Sequence, residues 1–120
     1  MVKKILVVDD EKDLTETLAL MLEVNGYKVV KAYGGQEGLE RAEKENPNLI
    51  LLDIMMPGIN GIETLFSLKS NPKTNYIPVI MLSCRGELSY LAKAKDLGSV
   101  DYFIKPFELK ELLRTIKKYI

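Results

Sequence analysis

The side chains best able to do chemistry in this 120-residue sequence are a few acids, a hydroxyl, a thiol and an amine. Each is the first or second residue after a short apolar run, where a buried strand would end. In an open parallel sheet the carboxyl ends of the strands share one edge, and ligands bind there. We therefore expect these groups to converge. They are Asp9, Asp10, Asp53, Ser83, Cys84 and Lys105.

Convergence of these groups has an electrostatic cost. Two carboxylates about 4 Å apart repel by about 4 kcal/mol at the effective dielectric near a protein surface. With Glu11 set aside, three carboxylates and the Lys105 ammonium leave a charge of −2. Oxygen ligands of that charge suit Mg2+, or Mn2+ in its place. Because Mg2+ usually accompanies phosphate, the pattern favours phosphoryl chemistry with a carboxylate nucleophile.

The composition excludes other chemistries. The chain has no histidine, which excludes Ser-His-Asp and Cys-His catalysis, histidine zinc ligation and a phosphohistidine of its own. Its single cysteine, Cys84, excludes an internal disulfide and suits a reducing, cytoplasmic location. Seventeen basic and seventeen acidic residues balance, which argues against direct nucleic-acid binding. No apolar run approaches the ~20 residues of a membrane span.

Apolar runs and helical stripes alternate along the chain. The continuous runs at residues 5–8, 49–52, 79–82 and 102–104 predict strands buried on both faces, and residues 28–31 predict a weaker strand at a sheet edge. Strand followed by helix, five times over, predicts a parallel α/β sheet and one domain over residues 1–120. The predicted inward stripes are Leu14, Leu18, Met21 and Leu22; Leu39 and Ala42; Ile62, Leu65 and Phe66; and Leu109, Leu112, Leu113, Ile116 and Ile120.

Four stretches together carry a family resemblance. They are ILVVDDE at 5–11, LLDIMMPGING at 51–61, IPVIMLS at 77–83 and GSVDYFIKPF at 98–107. In this order and spacing the chain resembles the receiver domains of two-component response regulators over essentially its whole length. The resemblance implies a single doubly wound (βα)5 sheet of flavodoxin-like strand order 2-1-3-4-5.

The resemblance also implies a phosphoacceptor signalling switch. Asp53 would take a phosphoryl group from a phosphohistidine on a partner histidine kinase or histidine phosphotransfer protein, and a small acyl phosphate would also serve. Asp10, Asp53 and the backbone carbonyl of Met55 would bind Mg2+, and Asp9 would act through bound water. The protein would not be an enzyme in the usual sense, because it would catalyse only its own phosphorylation and dephosphorylation.

Further residues have implied roles in the switch. The Ser83 hydroxyl would hydrogen-bond the phosphoryl group, and Lys105 would offset its charge. Tyr102 would swing inward as that hydroxyl moves, with a half-buried strand tyrosine as the alternative. The Lys105–Pro106 peptide is expected to be cis. Output would pass to a downstream protein through the face of the fourth helix, fifth strand and fifth helix.

Some positions depart from the family pattern or remain open. Cys84 replaces a smaller alanine beside the phosphoryl group. Met55 and Arg85 flank the site at positions that tune hydrolysis, and Met55 has no polar group to orient water, which predicts slow autodephosphorylation. Leu88 and Leu91 either form an exposed partner patch or pack under the fourth helix.

Rival interpretations remain at this stage. Asp10 or Asp13 alone would cap the first helix. A flavin mononucleotide carrier would need a glycine- or hydroxyl-rich loop where Asp9 and Asp10 lie. A metal-dependent phosphatase with an Asp nucleophile is the enzymatic alternative, an adaptor with an inert site is the structural one, and a fragment of a longer transcriptional or enzymatic regulator is a third.

Overall fold

Five strands alternate with five helices in residues 1–84 and 87–120, the part of the chain that the computed structural model describes. The strands are β1 (Lys4–Val8), β2 (Lys28–Ala32), β3 (Leu49–Asp53), β4 (Val79–Ser83) and β5 (Asp101–Ile104). The helices are α1 (Lys12–Val24), α2 (Gly35–Glu45), α3 (Gly61–Ser70), α4 (Leu88–Asp96) and α5 (Leu109–Tyr119).

All strands are parallel and lie in the order β2-β1-β3-β4-β5. The predicted fold class and strand order are confirmed, including the edge position of β2. The most apolar strands, β1, β3 and β4, occupy the interior, where both faces of a strand need apolar cover. The carboxyl ends of β1 and β3 are neighbours, since Val8 pairs with Leu52.

Helices cover both faces of the sheet. Because side chains alternate along a strand, Leu6 and Val8 pack into the core under α2, α3 and α4, whereas Ile5 and Val7 pack toward α1 and α5. This double cover leaves the ends of the strands as the place where polar groups can gather. Within the described residues, no helix is long and apolar enough to cross a membrane.

Two of the predicted apolar stripes are wrong in part. Met21 is 41% exposed and Phe66 is 59% exposed. In α1 the buried face contains Thr15 and Ala19 beside Leu18 and Leu22. The Thr15 hydroxyl enters the interior because it donates to the backbone carbonyls of Asp9 and Glu11, so the helix is rotated away from Met21.

The fifth strand forms where predicted, but its predicted burial on both faces is wrong. β5 pairs only with β4 and is an edge strand. Tyr102 is 51% exposed, and Phe103 and Ile104 are half-buried. A strand with a single neighbour keeps one flank open, so an apolar run alone does not decide its depth.

Candidate metal centre

Three carboxylates meet at the carboxyl ends of the two central strands. Asp9 and Asp10 follow β1, and Asp53 is the last residue of β3. Each offers an oxygen within 4.8 Å of the others, with Asp9 and Asp53 buried and Asp10 half-buried. Several carboxylate oxygens so close together fit a hard divalent cation, which neutralises the charge they share. The donor set therefore suits Mg2+.

Lys105 reaches this cluster from the far side of β4. Its Nζ lies 2.8 Å from Asp9 Oδ2 and 3.2 Å from Asp53 Oδ1, and 3.9 Å from the exposed carboxylate of Glu11. The Lys105 N–H donates to the Ser83 carbonyl at 2.7 Å, which ties the start of this loop to the end of β4. The Lys105–Pro106 peptide is cis, as predicted.

Burial and charge perturb the titration of the cluster. Burial, and then the neighbouring Asp9 carboxylate, raises the pKa of Asp53 to about 7, against the opposing effect of Lys105. Burial acts to lower the pKa of Lys105, but its hydrogen bond to Asp9 and the charge of Asp53 raise it above its ordinary value. The ammonium thus stays charged while it shields two carboxylates from each other.

The first helix begins without help from an aspartate cap. α1 has Glu11 as its N-cap residue, with no side-chain cap, so the capping alternative for Asp10 and Asp13 is wrong. Asp9 Oδ1 instead accepts the Glu11 N–H at 3.0 Å, and its other oxygen contacts Lys105. These two contacts orient Asp9 toward the strand edge rather than along the helix.

The connection from β3 to α3 holds Asp53 by close packing. A Cβ on Gly61 would overlap the Asp53 carbonyl and lie 2.7 Å from the Ile54 Cα. Asn60 and Glu63 form a reciprocal capping box at the start of α3, with both bonds at 2.9 Å. The sequence interpretation missed both the packing of Gly61 and the capping box. For the capping box, the N-x-x-E spacing of Asn60 and Glu63 was a usable signal.

The connection from β4 to α4 is arranged differently. Ser83 is fully buried, and its Oγ has no hydrogen-bond partner within the described residues. Cys84 is exposed, and its backbone N–H donates to the carboxylate of Glu87, a buried residue that the sequence interpretation missed. Glu87 lies only three residues after Cys84, but its residue type alone does not distinguish it from a solvent-exposed glutamate. Arg85 lies outside the described residues.

The predicted switch residue Tyr102 belongs to β5, and the leucine pair of the predicted patch belongs to α4. Tyr102 points outward and is 51% exposed, more than the half-buried alternative expected. Leu88 is exposed, whereas Leu91 is buried in the core under α4. The two alternatives for this leucine pair therefore divide between its members: Leu91 packs under the helix and Leu88 faces outward. Met55 is exposed beside the acidic cluster.

This chain matches the response regulator receiver domain family over residues 5–117. It is 39% identical over 117 residues to the phosphate regulon transcriptional regulatory protein PhoB of Rhizobium meliloti, covering 98% of this chain and 52% of that protein. It is 37% identical over 118 residues to the sporulation initiation phosphotransferase F of Bacillus subtilis, covering 98% and 94%. A putative response regulator structure from Chloroflexus aurantiacus superposes with a TM-score of 0.93 at 33% identity, covering 99% and 98%.

A doubly wound sheet with an acidic cluster at its carboxyl edge is the architecture of a phosphoacceptor switch. The chain belongs to the receiver domain family of two-component response regulators. Receiver domains are signalling switches that take phosphate from histidine kinases or phosphotransfer proteins and bind Mg2+ at an acidic pocket. The family does not favour the phosphatase alternative. The chain spans about half the length of the transcriptional regulators it matches.

Proposed function

We propose that residues 1–120 form a switch that is phosphorylated on Asp53. The observation that carries this proposal is the contact of Asp53 with both Lys105 and the other acids at the edge of the sheet. A lone carboxylate would be a poor nucleophile. One that is buried, oriented and held beside a cation can accept a phosphoryl group without moving far.

Asp10, Asp53 and the Met55 backbone carbonyl would hold Mg2+ directly, with Mn2+ as a substitute, and Asp9 would act through water. The charge of −2 on the cluster supports this assignment. When bound, the cation offsets negative charge on the transferring phosphoryl oxygens. Asp9 is already engaged by Lys105 and by the Glu11 N–H, which supports its more indirect part.

The phosphoryl donor must be another molecule, because the chain has no histidine. An Asp53 oxygen attacks the phosphorus of the partner's phosphohistidine, the P–N bond breaks, and the imidazole leaves. Lys105, 3.2 Å from Asp53, is close enough to contact a phosphoryl oxygen. The buried Ser83 hydroxyl can donate a hydrogen bond to another. The domain would catalyse only this transfer to Asp53 and the later hydrolysis of the aspartyl phosphate, which releases inorganic phosphate and restores the carboxylate.

Output would pass through the face formed by α4, β5 and α5. Leu88 and Tyr102 are exposed there and flank a groove of about 420 Å³ that also contains Lys95, Val100 and Asp101. Apolar side chains beside charged ones of both signs suit a protein partner rather than bulk water. The inward movement of Tyr102 on phosphorylation would change the shape of this surface. A Leu88→Ser variant should keep the stability of the domain and weaken partner binding.

Intact-mass measurement tests the acceptor directly. The wild-type chain, incubated with Mg2+ and a small acyl phosphate, should gain the mass of one phosphoryl group. Asp53→Asn should gain none, whereas Asp13→Asn, which alters an exposed acid in α1, should behave as wild type. Chelating the metal should abolish the gain. Phosphorylation of Asp53→Asn at the wild-type rate would reject the assignment, and steady turnover of a generic phosphate ester would favour the phosphatase alternative.

Autodephosphorylation of the phosphorylated chain should be slow. Met55 lies two residues after Asp53, is 52% exposed and has no polar side-chain group to orient an attacking water. Loss of the phosphoryl group from purified protein, followed by intact mass, should take longer than minutes. Met55→Asn should shorten this lifetime, and a half-life of minutes or less in the wild type would contradict the expectation.

A further inference from the structure

Glu87 joins two elements at the edge of the site. Its backbone carbonyl accepts the N–H groups of Tyr90 at 3.1 Å and Leu91 at 3.2 Å, which are first-turn bonds of α4. Its side chain turns the other way and accepts the Cys84 N–H at the end of β4. Glu87 therefore begins α4 through its backbone carbonyl and is bound to the end of β4 through its carboxylate.

The hydrogen bond to Cys84 is accepted by a buried carboxylate that has few partners. Glu87 is 9% exposed, and within the described residues its Oε2 has no hydrogen-bond partner. A buried carboxylate is stable only when its oxygens are paired, because it has lost its hydration. The Cys84 N–H supplies part of that compensation. The contact is therefore of the kind that a change in nearby charge can displace.

Cys84 lies between the Glu87 carboxylate, which accepts its N–H, and the loop of Lys105. It follows Ser83, whose carbonyl accepts the Lys105 N–H. Although Cys84 is exposed, partial desolvation raises the pKa of its thiol, and the charges of Glu87 and Asp53 raise it further, against Lys105. The Glu87 and Asp53 carboxylates thus act on the same residue from two elements. Asp53 lies opposite Leu82 in the sheet, two residues before Cys84, so negative charge added at Asp53 would repel the carboxylate that holds Cys84.

We propose that Glu87 is a positioning residue of the switch, whose carboxylate holds α4 to the end of β4 in the unphosphorylated domain and is driven from Cys84 when Asp53 is phosphorylated. This inference rests on the proposed phosphorylation of Asp53. Phosphorylation would thereby break the hydrogen bond between Glu87 and Cys84. The first turn of α4, which presents Leu88 on the output face, would then be free to move.

Carbon-13 NMR of the Glu87 carboxyl group in the wild-type chain tests the displacement without any variant. Before phosphorylation, its signal should differ from that of Glu108, the exposed N-cap residue of α5. After phosphorylation with Mg2+ and a small acyl phosphate, the Glu87 signal should move toward the exposed position, while Glu108 stays where it was. A Glu87 signal that does not change would overturn the proposal.

Glu87→Ala removes the oxygen that accepts the Cys84 N–H, and Glu108→Ala makes the same change at the matched boundary of α5. In unphosphorylated Glu87→Ala, the backbone amide signals of residues 88–91 should lie displaced along the line from the unphosphorylated to the phosphorylated wild-type positions. Glu108→Ala should leave them at the wild-type positions. Removal of a like charge should also speed phosphorylation by the anionic donor on the order of fivefold.

The outcomes separate the two proposals. If the wild type gains no phosphoryl mass, or Asp53→Asn gains it equally, the proposed function fails before Glu87 is tested. If the wild type is phosphorylated on Asp53 and the amide signals of Glu87→Ala coincide with the unphosphorylated wild type, only the role of Glu87 fails. A loss of stability alone, with those signals unmoved, marks Glu87 as structural and likewise overturns its role.

Discussion

Two neighbouring connections at the same edge of the sheet are built in opposite ways. Between β3 and α3, the helix start is capped and closely packed: Asn60 and Glu63 cap each other's backbone, and Gly61 packs directly on the Asp53 carbonyl. Between β4 and α4, no side chain caps the helix, and both Ser83 and Glu87 have a buried oxygen without a partner among the described residues.

The difference separates a fixed part from a responsive part. A phosphoacceptor has to stay in place relative to its metal ligands and Lys105, and the closely packed β3–α3 connection serves that purpose. A segment that responds to the phosphoryl group needs an alternative arrangement of similar free energy. Unpaired buried polar atoms lower the cost of leaving the first arrangement, because fewer hydrogen bonds are lost.

Gly61→Ala should have the largest effect on stability, because it disrupts the closely packed β3–α3 connection. The added methyl group would overlap the Asp53 carbonyl, which is backbone and cannot turn aside. We expect a loss of about 3–5 kcal/mol in the free energy of unfolding, measured by urea denaturation. The control is Gly34→Ala, where a Cβ has nothing within 4 Å and the loss should stay under about 1 kcal/mol. Equal losses in both variants would contradict the packing argument.

The pH dependence of stability should be next in size. The pKa of Asp53 is raised from 3.8 to about 7, so the folded, metal-free protein holds a proton that the unfolded chain has released. The stabilisation from this proton is complete below about pH 4 and is lost as the pH rises to about 7, a change of about 2–4 kcal/mol.

Asp53→Asn should remove that decline from the stability curve, measured by urea denaturation at several pH values with a chelator present. Asp13→Asn, the exposed control, should keep it. The opposite result would be a wild-type stability that rises between pH 4 and 7 by about 2–4 kcal/mol. That result would show that burial and the neighbouring carboxylates do not raise the pKa of Asp53.

Asn60→Ala should cost about 1 kcal/mol, because it removes the side-chain oxygen that accepts the Glu63 N–H. Thermal or urea unfolding measures this loss. Asn60→Asp retains an acceptor at the same place and should be close to wild type. If Ala and Asp at this position were equally destabilising, the capping box would not be the reason for the rigidity of this connection.

Ser83→Ala should have the smallest effect on the unphosphorylated protein. The variant deletes a buried hydroxyl that has no partner within the described residues, so stability should be unchanged or higher by up to about 1 kcal/mol. Thr74→Val offers the contrast: it deletes a buried hydroxyl that donates to the Leu68 carbonyl at 2.7 Å, and it should destabilise by about 1 kcal/mol or more. A Ser83→Ala loss as large as the Thr74→Val loss would mean that the Ser83 hydroxyl is bonded in the resting state.

The location of the acidic cluster was predictable from the sequence because of how parallel sheets are built. Short apolar runs end in Asp9, Asp53, Ser83 and Lys105, and parallel strands bring such ends to one edge. The strand order came from the family resemblance instead, since apolar periodicity does not determine which strands are neighbours. The roles assigned to these residues stay predictions, although their placement agrees with them.

The helix faces were less predictable. Met21 and Phe66 fit the apolar spacing of their helices and are nevertheless exposed. A helix can rotate to bury a neighbouring small or hydrogen-bonded residue, as α1 does with Thr15 and Ala19. The side chain that finally faces the sheet is the one that fits the available space, and the sequence of one helix contains no information about that space.

The sequence by itself determined the class of fold, the set of acids at its edge and the exclusion of a histidine donor within the chain, because these depend on residue type and on the order of local patterns. Only the tertiary structure decided that Gly61 packs on the Asp53 carbonyl and that Tyr102 faces outward. Those features depend on which backbone atoms come within a few ångströms of each other, and such proximity is a property of the assembled sheet and helices.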